Sequence, residues 1–274
     1  MRLGMNFGLK AKNPEEWAEE MSRYNVKAAS LPVDYHADFH EIEAYMKAAK
    51  DHDIVIAEVG AWCNPLTKDP REASAAFEKC VEQLKLADYV GARCACNIAG
   101  SAGPVWDAYY PDNYSEDFYK KTVETIQKII ETAKPRNTFY AIEPMPWMVP
   151  SSPDEYLTLI RDVGSDRLAV HLDIINWMNS FERYRFQRRF MDEVFEKLHG
   201  RIVSCHFKDC ILKNDLTFQI EETPVGEGAF DIDYYVDKVN EENPDLPLMI
   251  EHLSGKRAYI KSMRYINDRY ASIR

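Results

Sequence analysis

Four ionisable residues each close a hydrophobic run: Glu143 in "FYAIEPMPW", Asp173 in "LAVHLDIIN", His206 in "IVSCHFKD" and Glu251 in "PLMIEHL". An ionised carboxylate at the end of a strand buried on both faces carries a heavy desolvation cost unless a partner offsets it. Taken singly, each of the four reads as readily as a helix cap, an ion-pair partner or a solvated rim residue. Taken together they recur at intervals of about one strand-helix unit, which brings them to one rim. Three oxygen donors and an imidazole suit a hard or borderline divalent cation: Mn²⁺ first, with Mg²⁺ or Co²⁺ as alternatives. The set Glu143, Asp173, His206 and Glu251 is therefore expected to hold one metal ion.

The elements that must position them alternate along the whole chain. Short apolar runs at 2–8, 28–32, 54–61, 92–99, 138–145, 168–176, 202–209 and 247–253 read as strands. Between them, 14–24, 40–52, 71–89, 115–134, 153–163, 181–198, 231–242 and 256–272 carry helical spacing, several opening on caps such as Ser115, Ser152 with Pro153, and Asp231. Strand then helix, repeated eight times, is the α/β pattern of a (β/α)₈ TIM barrel. No linker or low-complexity segment interrupts it, so residues 1–274 are expected to form a single domain. Two stretches exceed what a connector needs: 100–114, and 210–230, where "LTFQIEETPVGEG" alternates as a small hairpin would. Loops that follow strands build the active face of such a barrel.

Composition narrows the function. The 274 residues carry a formal net charge of −11, which disfavours a nucleic-acid partner. There is no signal-peptide pattern and no apolar run long enough for a membrane span, so a soluble, cytoplasmic protein is expected. The six cysteines lack paired zinc-type spacing and read as buried thiols without a metal or redox role. The "NYS" sequon at Asn113 then has no meaning in that compartment. The run "RYRFQRR" at 183–189 could clamp an anion, but on the sixth helix it reads as a solvated or subunit-facing surface, leaving a homo-oligomer open.

From 139 to 253 the chain resembles the xylose isomerase-like barrels, which include ketose 3-epimerases, hydroxypyruvate isomerase, inosose dehydratase and endonuclease IV. The resemblance rests on "IEP" at Glu143, "LDxxNxMN" at Asp173, "HFKD" at His206, the "PVGEGxxD" loop from Gly226 to Asp231, and "IEH" at Glu251. It implies that Glu143 and Glu251 serve as acid and base on opposite sides of a substrate carbon as well as metal ligands, with Asp173 and His206 as ligands only. The ketose epimerases usually carry a substrate-touching His where this chain has Asn176, and an Arg where it offers Lys208 and Lys213. Lys208 reads either as a substrate donor or as a salt bridge to Asp209.

Trp62, Trp106, Trp147 and Trp177 fall just after strands three to six, while Trp17 belongs to an outer helix. Aromatic faces there suit the C–H faces of a sugar, or a flat group attached to one. With Asn176 and Lys208 these four tryptophans form the expected substrate contacts. His171, two residues before Asp173, is expected to support the ligands by hydrogen bonding. His252 is expected to point away from Glu251 by strand alternation, with a minor role as a further base.

The leading expectation is a metal-dependent sugar or polyol isomerase or epimerase acting next to a metal-held carbonyl. The alternative is a lyase cleaving a keto-sugar or an oxidised 3-keto-glycoside, C-glycosides included, by β-elimination at the same metal. An endonuclease IV-like nuclease is disfavoured by the acidic charge and by only seven histidines. A non-catalytic sugar-binding barrel would not need two glutamates on its metal.

Overall fold

The computed structural model describes residues 1–6 and 11–270. Eight parallel strands close into a barrel: β1 (Arg2–Met5), β2 (Ala28–Ser30), β3 (Val55–Gly60), β4 (Cys94–Asn97), β5 (Phe139–Ile142), β6 (Leu168–Leu172), β7 (Ile202–Phe207) and, after an inserted hairpin, β10 (Pro247–Ile250). Each strand pairs with its sequence neighbours, and β10 lies between β7 and β1 to complete the ring. Helices α1 (Pro14–Arg23), α2 (Phe39–Asp51), α3 (Pro70–Val90), α4 (Glu116–Ala133), α5 (Pro153–Val163), α6 (Phe181–Arg185), α7 (Gln187–Leu198), α8 (Ile232–Glu242) and α9 (Lys256–Arg269) surround it. This is the (β/α)₈ architecture that the alternating pattern predicts.

The expected caps form. Ser115 accepts from the Phe118 amide, Ser152 from Glu155 with Pro153 in the first turn, and Asp231 from Tyr234. The predicted sixth helix is split in two at Phe186, whose ψ of 46° breaks the hydrogen-bond ladder. Residues 7 and 8 of the first predicted strand and 271 and 272 of the last predicted helix lie outside the described residues. The hairpin after β7 also begins earlier than its alternation suggests: β8 (Asp209–Leu212) pairs antiparallel with β9 (Ile220–Thr223).

Inside the ring, side chains at every second position face inward. Ala28, Ala57 and Met249 pack as one cluster, and Cys94, Cys96 and Ala141 as another. A Cβ on Gly4 would lie 2.3 Å from both the Ala28 carbonyl and the Met249 sulfur, so only glycine leaves Met249 its place. Two residues further along the strands, the same inward parity delivers Glu143 after Ala141, Glu251 after Met249, and His206 after Ser204.

Candidate metal and substrate site

The four expected ligands converge at the C-terminal mouth. Glu143, Asp173 and Glu251 each stand immediately past β5, β6 and β10, and His206 lies inside β7. One donor atom from each lies within 4.8 Å of the others, an arrangement that could hold a metal ion. All four are buried. His206 Nδ1 is 2.7 Å from Glu251 Oε2 and 3.3 Å from Glu143 Oε1. Asp173 Oδ1 accepts the backbone amides of Ile175 and Asn176, which locks the carboxylate and leaves Oδ2 turned toward the cluster. Three carboxylates and one imidazole, each offering a donor atom toward one point, form an oxygen-rich set that fits a divalent cation.

Their mutual crowding shows in their proton affinities. Burial pushes the Asp173 carboxyl up to about 7, with Glu251 and Glu143 adding to the rise against the pull of Lys208. Burial opposes a charge on His206, yet Glu251, Glu143 and Glu58 together lift it well above its ordinary value. Glu251 runs the other way: although burial works against its charge, His206 and Lys208 hold it well below the usual carboxylate range.

Lys208 is buried and makes no bridge to Asp209. Its ammonium lies 2.7 Å from Asp173 Oδ2, 3.0 Å from Glu251 Oε1 and 2.8 Å from Glu222 Oε1, and donates to Asn176 Oδ1 at 3.0 Å. Asp209 is occupied elsewhere, accepting the amides of Cys210, Gly226, Gly228 and Phe230. Asn176 donates to Glu143 Oε1 at 3.2 Å while accepting from Lys208, so it holds one glutamate directly and the other through the lysine.

Above the cluster opens a cavity of about 810 Å³, bounded by Glu143, Glu251, His206, Asn176 and an apolar wall. Trp62, Trp106 and Trp147 belong to that wall, with Met145, Ile98 and Phe218. The Trp62 ring sits 6.1 Å from the His206 ring. Trp147 is fixed by its indole N–H, which donates to the Asp107 carbonyl. The long 100–114 loop is pinned by the buried side chain of Asn113, the sequon residue, which binds the backbone of Ala102, Ala108 and Trp147.

Trp177 is placed differently from the other three. It is fully buried against Tyr156 and Phe190, with its indole N–H donating to the Pro150 carbonyl, so it packs the barrel wall rather than the cavity. The 3₁₀ turn at Ile175–Trp177 rotates it inward. His252 also departs from expectation. β10 has ended before it, its φ is +56°, and strand alternation no longer governs its direction. It lines the cavity with Nε2 3.5 Å from Glu251 and Nδ1 3.0 Å from Glu222.

Two further groups at the site escape a comparison limited to the last four strands. Glu58, in the middle of β3 and buried, has Oε2 3.2 Å from His206 Nε2, while its Oε1 accepts from Ser30. Burial works against its charge, but His206, His171 and Ser30 hold it at about 2. A carboxylate inside the apolar run "VIAEVG" carries the same signal as Glu143. Glu222, from β9, had no sequence signal. His171 lies at right angles to His206 with ring centres 4.1 Å apart and Nε2 3.6 Å from Glu58, beneath the ligands as expected but in ring contact rather than bonded to them.

The arginine run does not reach the cavity. Arg183 lies over Phe190 and donates to the Ser151 and Trp177 carbonyls, Arg188 pairs with Asp231, and Arg189 pairs with Glu182. Among the described residues, no helix is long and apolar enough to cross a membrane.

Residues 7–269 match the family described as xylose isomerase-like TIM barrel. The chain belongs to that family. No curated protein sequence matches it. Among solved structures it is similar to a probable 3-DHS dehydratase from Bacillus anthracis (16% identity, 98% of this chain and 100% of that one, TM-score 0.75). It is also similar to a D-psicose 3-epimerase from Clostridium cellulolyticum H10, solved with D-tagatose (11%, 100% and 99%, TM-score 0.72). A third is a 3-keto-D-glucoside 4-epimerase from E. coli (12%, 98% and 99%, TM-score 0.70). At these identities the likeness is one of fold.

Proposed function

We propose that this family member is a divalent-metal-dependent isomerase or epimerase of a sugar or polyol, with Mn²⁺ as the expected metal and Glu143, Asp173, His206 and Glu251 as its ligands. The observation that carries this reading is the division among the three carboxylates. Glu143 and Glu251 both open into the cavity, whereas Asp173 lies below it with one oxygen tied to backbone amides. Two glutamates can therefore reach substrate, and the aspartate can only ligate.

Bound among these residues, the cation would polarise a substrate carbonyl and acidify the adjacent C–H. One glutamate takes that proton onto a carboxylate oxygen, and the other returns a proton from across the substrate. Asn176 keeps Glu143 aimed at the cavity, and His206 and Lys208 keep Glu251 ionised. Trp62, Trp106 and Trp147 cover the substrate and exclude water. The epimerases among the similar structures support this class of substrate.

A second reading is favoured by the apolar wall. A cavity of about 810 Å³ faced by three indoles, Phe218 and Met145 is large and apolar for a free monosaccharide. A keto-glycoside, with a flat aglycone against the indoles, fills it better. On such a substrate the same proton abstraction would permit β-elimination of the aglycone, with His252 near enough to Glu251 to serve the leaving group.

Turnover in D₂O tests the common step. A panel of ketoses and 3-keto-glycosides with Mn²⁺ should yield a substrate whose acidic carbon gains deuterium in product or in recovered material. Retention of ring and aglycone marks the epimerase, and release of the aglycone marks the lyase. A turned-over substrate with no carbon label, whose rate survives Glu251→Gln, would end both readings.

A further inference from the structure

Cys63 and Cys80 stand apart from the other thiols. Their sulfurs are 3.5 Å apart, and of the six free cysteines Cys63 alone is partly exposed. Cys63 follows Trp62 on the loop leaving β3, while Cys80 lies in the middle of α3, so this contact joins the cavity wall to the outer helix ring.

The surroundings are built. Asn97, at the end of β4, accepts the Cys63 amide at 3.2 Å, donates to the Cys63 carbonyl at 3.1 Å and donates to Cys80 Sγ at 3.4 Å. The Tyr140 hydroxyl donates to Cys80 Sγ at 3.4 Å, and Cys63 Sγ points its proton at the Ala76 carbonyl at 3.4 Å. Lys79, whose ammonium binds the Trp62 carbonyl at 3.2 Å, adds positive charge beside the pair. Asn97 holds the Cys63 backbone and helix α3 holds that of Cys80, so closing the gap falls mainly to the sulfurs. A disulfide needs them to close to about 2.05 Å.

We infer that Cys63 and Cys80 form a peroxide-responsive dithiol, with Cys63 as the attacked thiol and Cys80 as the resolving one. The hydrogen bond with Cys80 and the charge of Lys79 lower the Cys63 thiol below its ordinary value against the effect of burial, which favours the nucleophilic thiolate there. The Cys63 thiolate attacks a hydroperoxide oxygen, the O–O bond breaks, and the departing oxide takes a proton and leaves as water or alcohol. Cys63 is then a sulfenic acid, oxidised by two electrons. Cys80 Sγ attacks Cys63 Sγ, the S–S bond forms, and hydroxide leaves and takes the Cys80 proton. Two thiols and one hydroperoxide give one disulfide, one water and one further water or alcohol. The product ties the loop carrying Trp62 to α3.

The full-length protein treated with hydrogen peroxide, alkylated without reductant and digested should show Cys63 and Cys80 in one linked peptide that loses two hydrogens, with the four other thiols still alkylated. Both thiols should return on adding dithiothreitol. Cys80→Ala should leave Cys63 as a sulfenic acid captured by dimedone. Accumulation of Cys63 sulfinic acid in the unaltered chain, or full alkylation of both residues after peroxide, overturns the inference. Because the unaltered protein decides it, the outcome does not depend on how the Cys80 variant folds.

Discussion

Glu58 Oε2 stands 3.2 Å from His206 Nε2, on the opposite side of the imidazole from the Nδ1 that meets Glu143 and Glu251. The charge of a carboxylate beside Nε2 favours a proton there and leaves Nδ1 as the lone-pair donor, as residues supporting a metal-binding histidine do. Glu58→Ala is expected to weaken Mn²⁺ affinity by about 10–100-fold while leaving the four ligands in place. Equilibrium titration with Mn²⁺ monitored by electron paramagnetic resonance measures it. Unchanged affinity would reduce Glu58 to a buried structural acid.

Acid should compete with the metal. Asp173 is raised to about 7 and His206 is raised well above its ordinary value, so the metal-free cluster holds protons that a cation must displace. A raised pKa means the proton is retained below that value, and affinity must climb as pH rises through it. Mn²⁺ binding is expected to tighten by on the order of tenfold between about pH 6 and about pH 8, with proton release detectable in weakly buffered calorimetry. A flat profile would show that the ligands are already ionised without metal.

Lys208 is the positive charge that the cluster keeps within itself. Lys208→Met leaves Asp173, Glu251 and Glu222 facing one another without it, and should destabilise the chelator-treated protein by about 3 kcal/mol or more. Added Mn²⁺ should recover part of that loss. Thermal melts with and without EDTA read both effects, and equal melting in the two conditions would argue against a cation at this place.

The tryptophans should divide by position. Trp106→Ala and Trp147→Ala, on the cavity wall, should lower kcat/KM by roughly one to two orders of magnitude with little change in Tm, if stacking is worth about 1–3 kcal/mol. Trp177→Ala, in the core, should instead cost about 3–5 kcal/mol of stability. A Trp177 variant with normal stability and poor kinetics would reverse the assignment.

The barrel and the ligand cluster were legible because both follow from period two. In β5, β7 and β10, inward parity runs through Ala141 to Glu143, Ser204 to His206 and Met249 to Glu251, and the apolar context marks each charged residue as anomalous. Glu58 shares that apolar context but not the simple alternation: it directly follows the inward Ala57, at the register shift where β2 and β3 pair Ala29 with Ile56 and Ser30 with Glu58. What fails is whatever lies past a strand end. His252 is turned by a positive φ, Trp177 is rotated by a 3₁₀ turn, and Lys208 chose Asp173 over its neighbour Asp209 because the loop had already claimed Asp209. Glu222 depends on hairpin pairing between residues far enough apart that no local pattern announces it.

The carboxylate of Asp209 gathers four backbone amides from the segment 210–230, and a Cβ on Gly228 would lie 2.2 Å from its Oδ1. The insertion is thus wound on a fixed peg at its base, and residues 213–219 form its tip between β8 and β9. That tip is an exchangeable cassette. Its length and side chains, Phe218 on the cavity wall among them, can be redrawn to reshape that wall while Asp209 and Gly228 hold the base of the insertion in place.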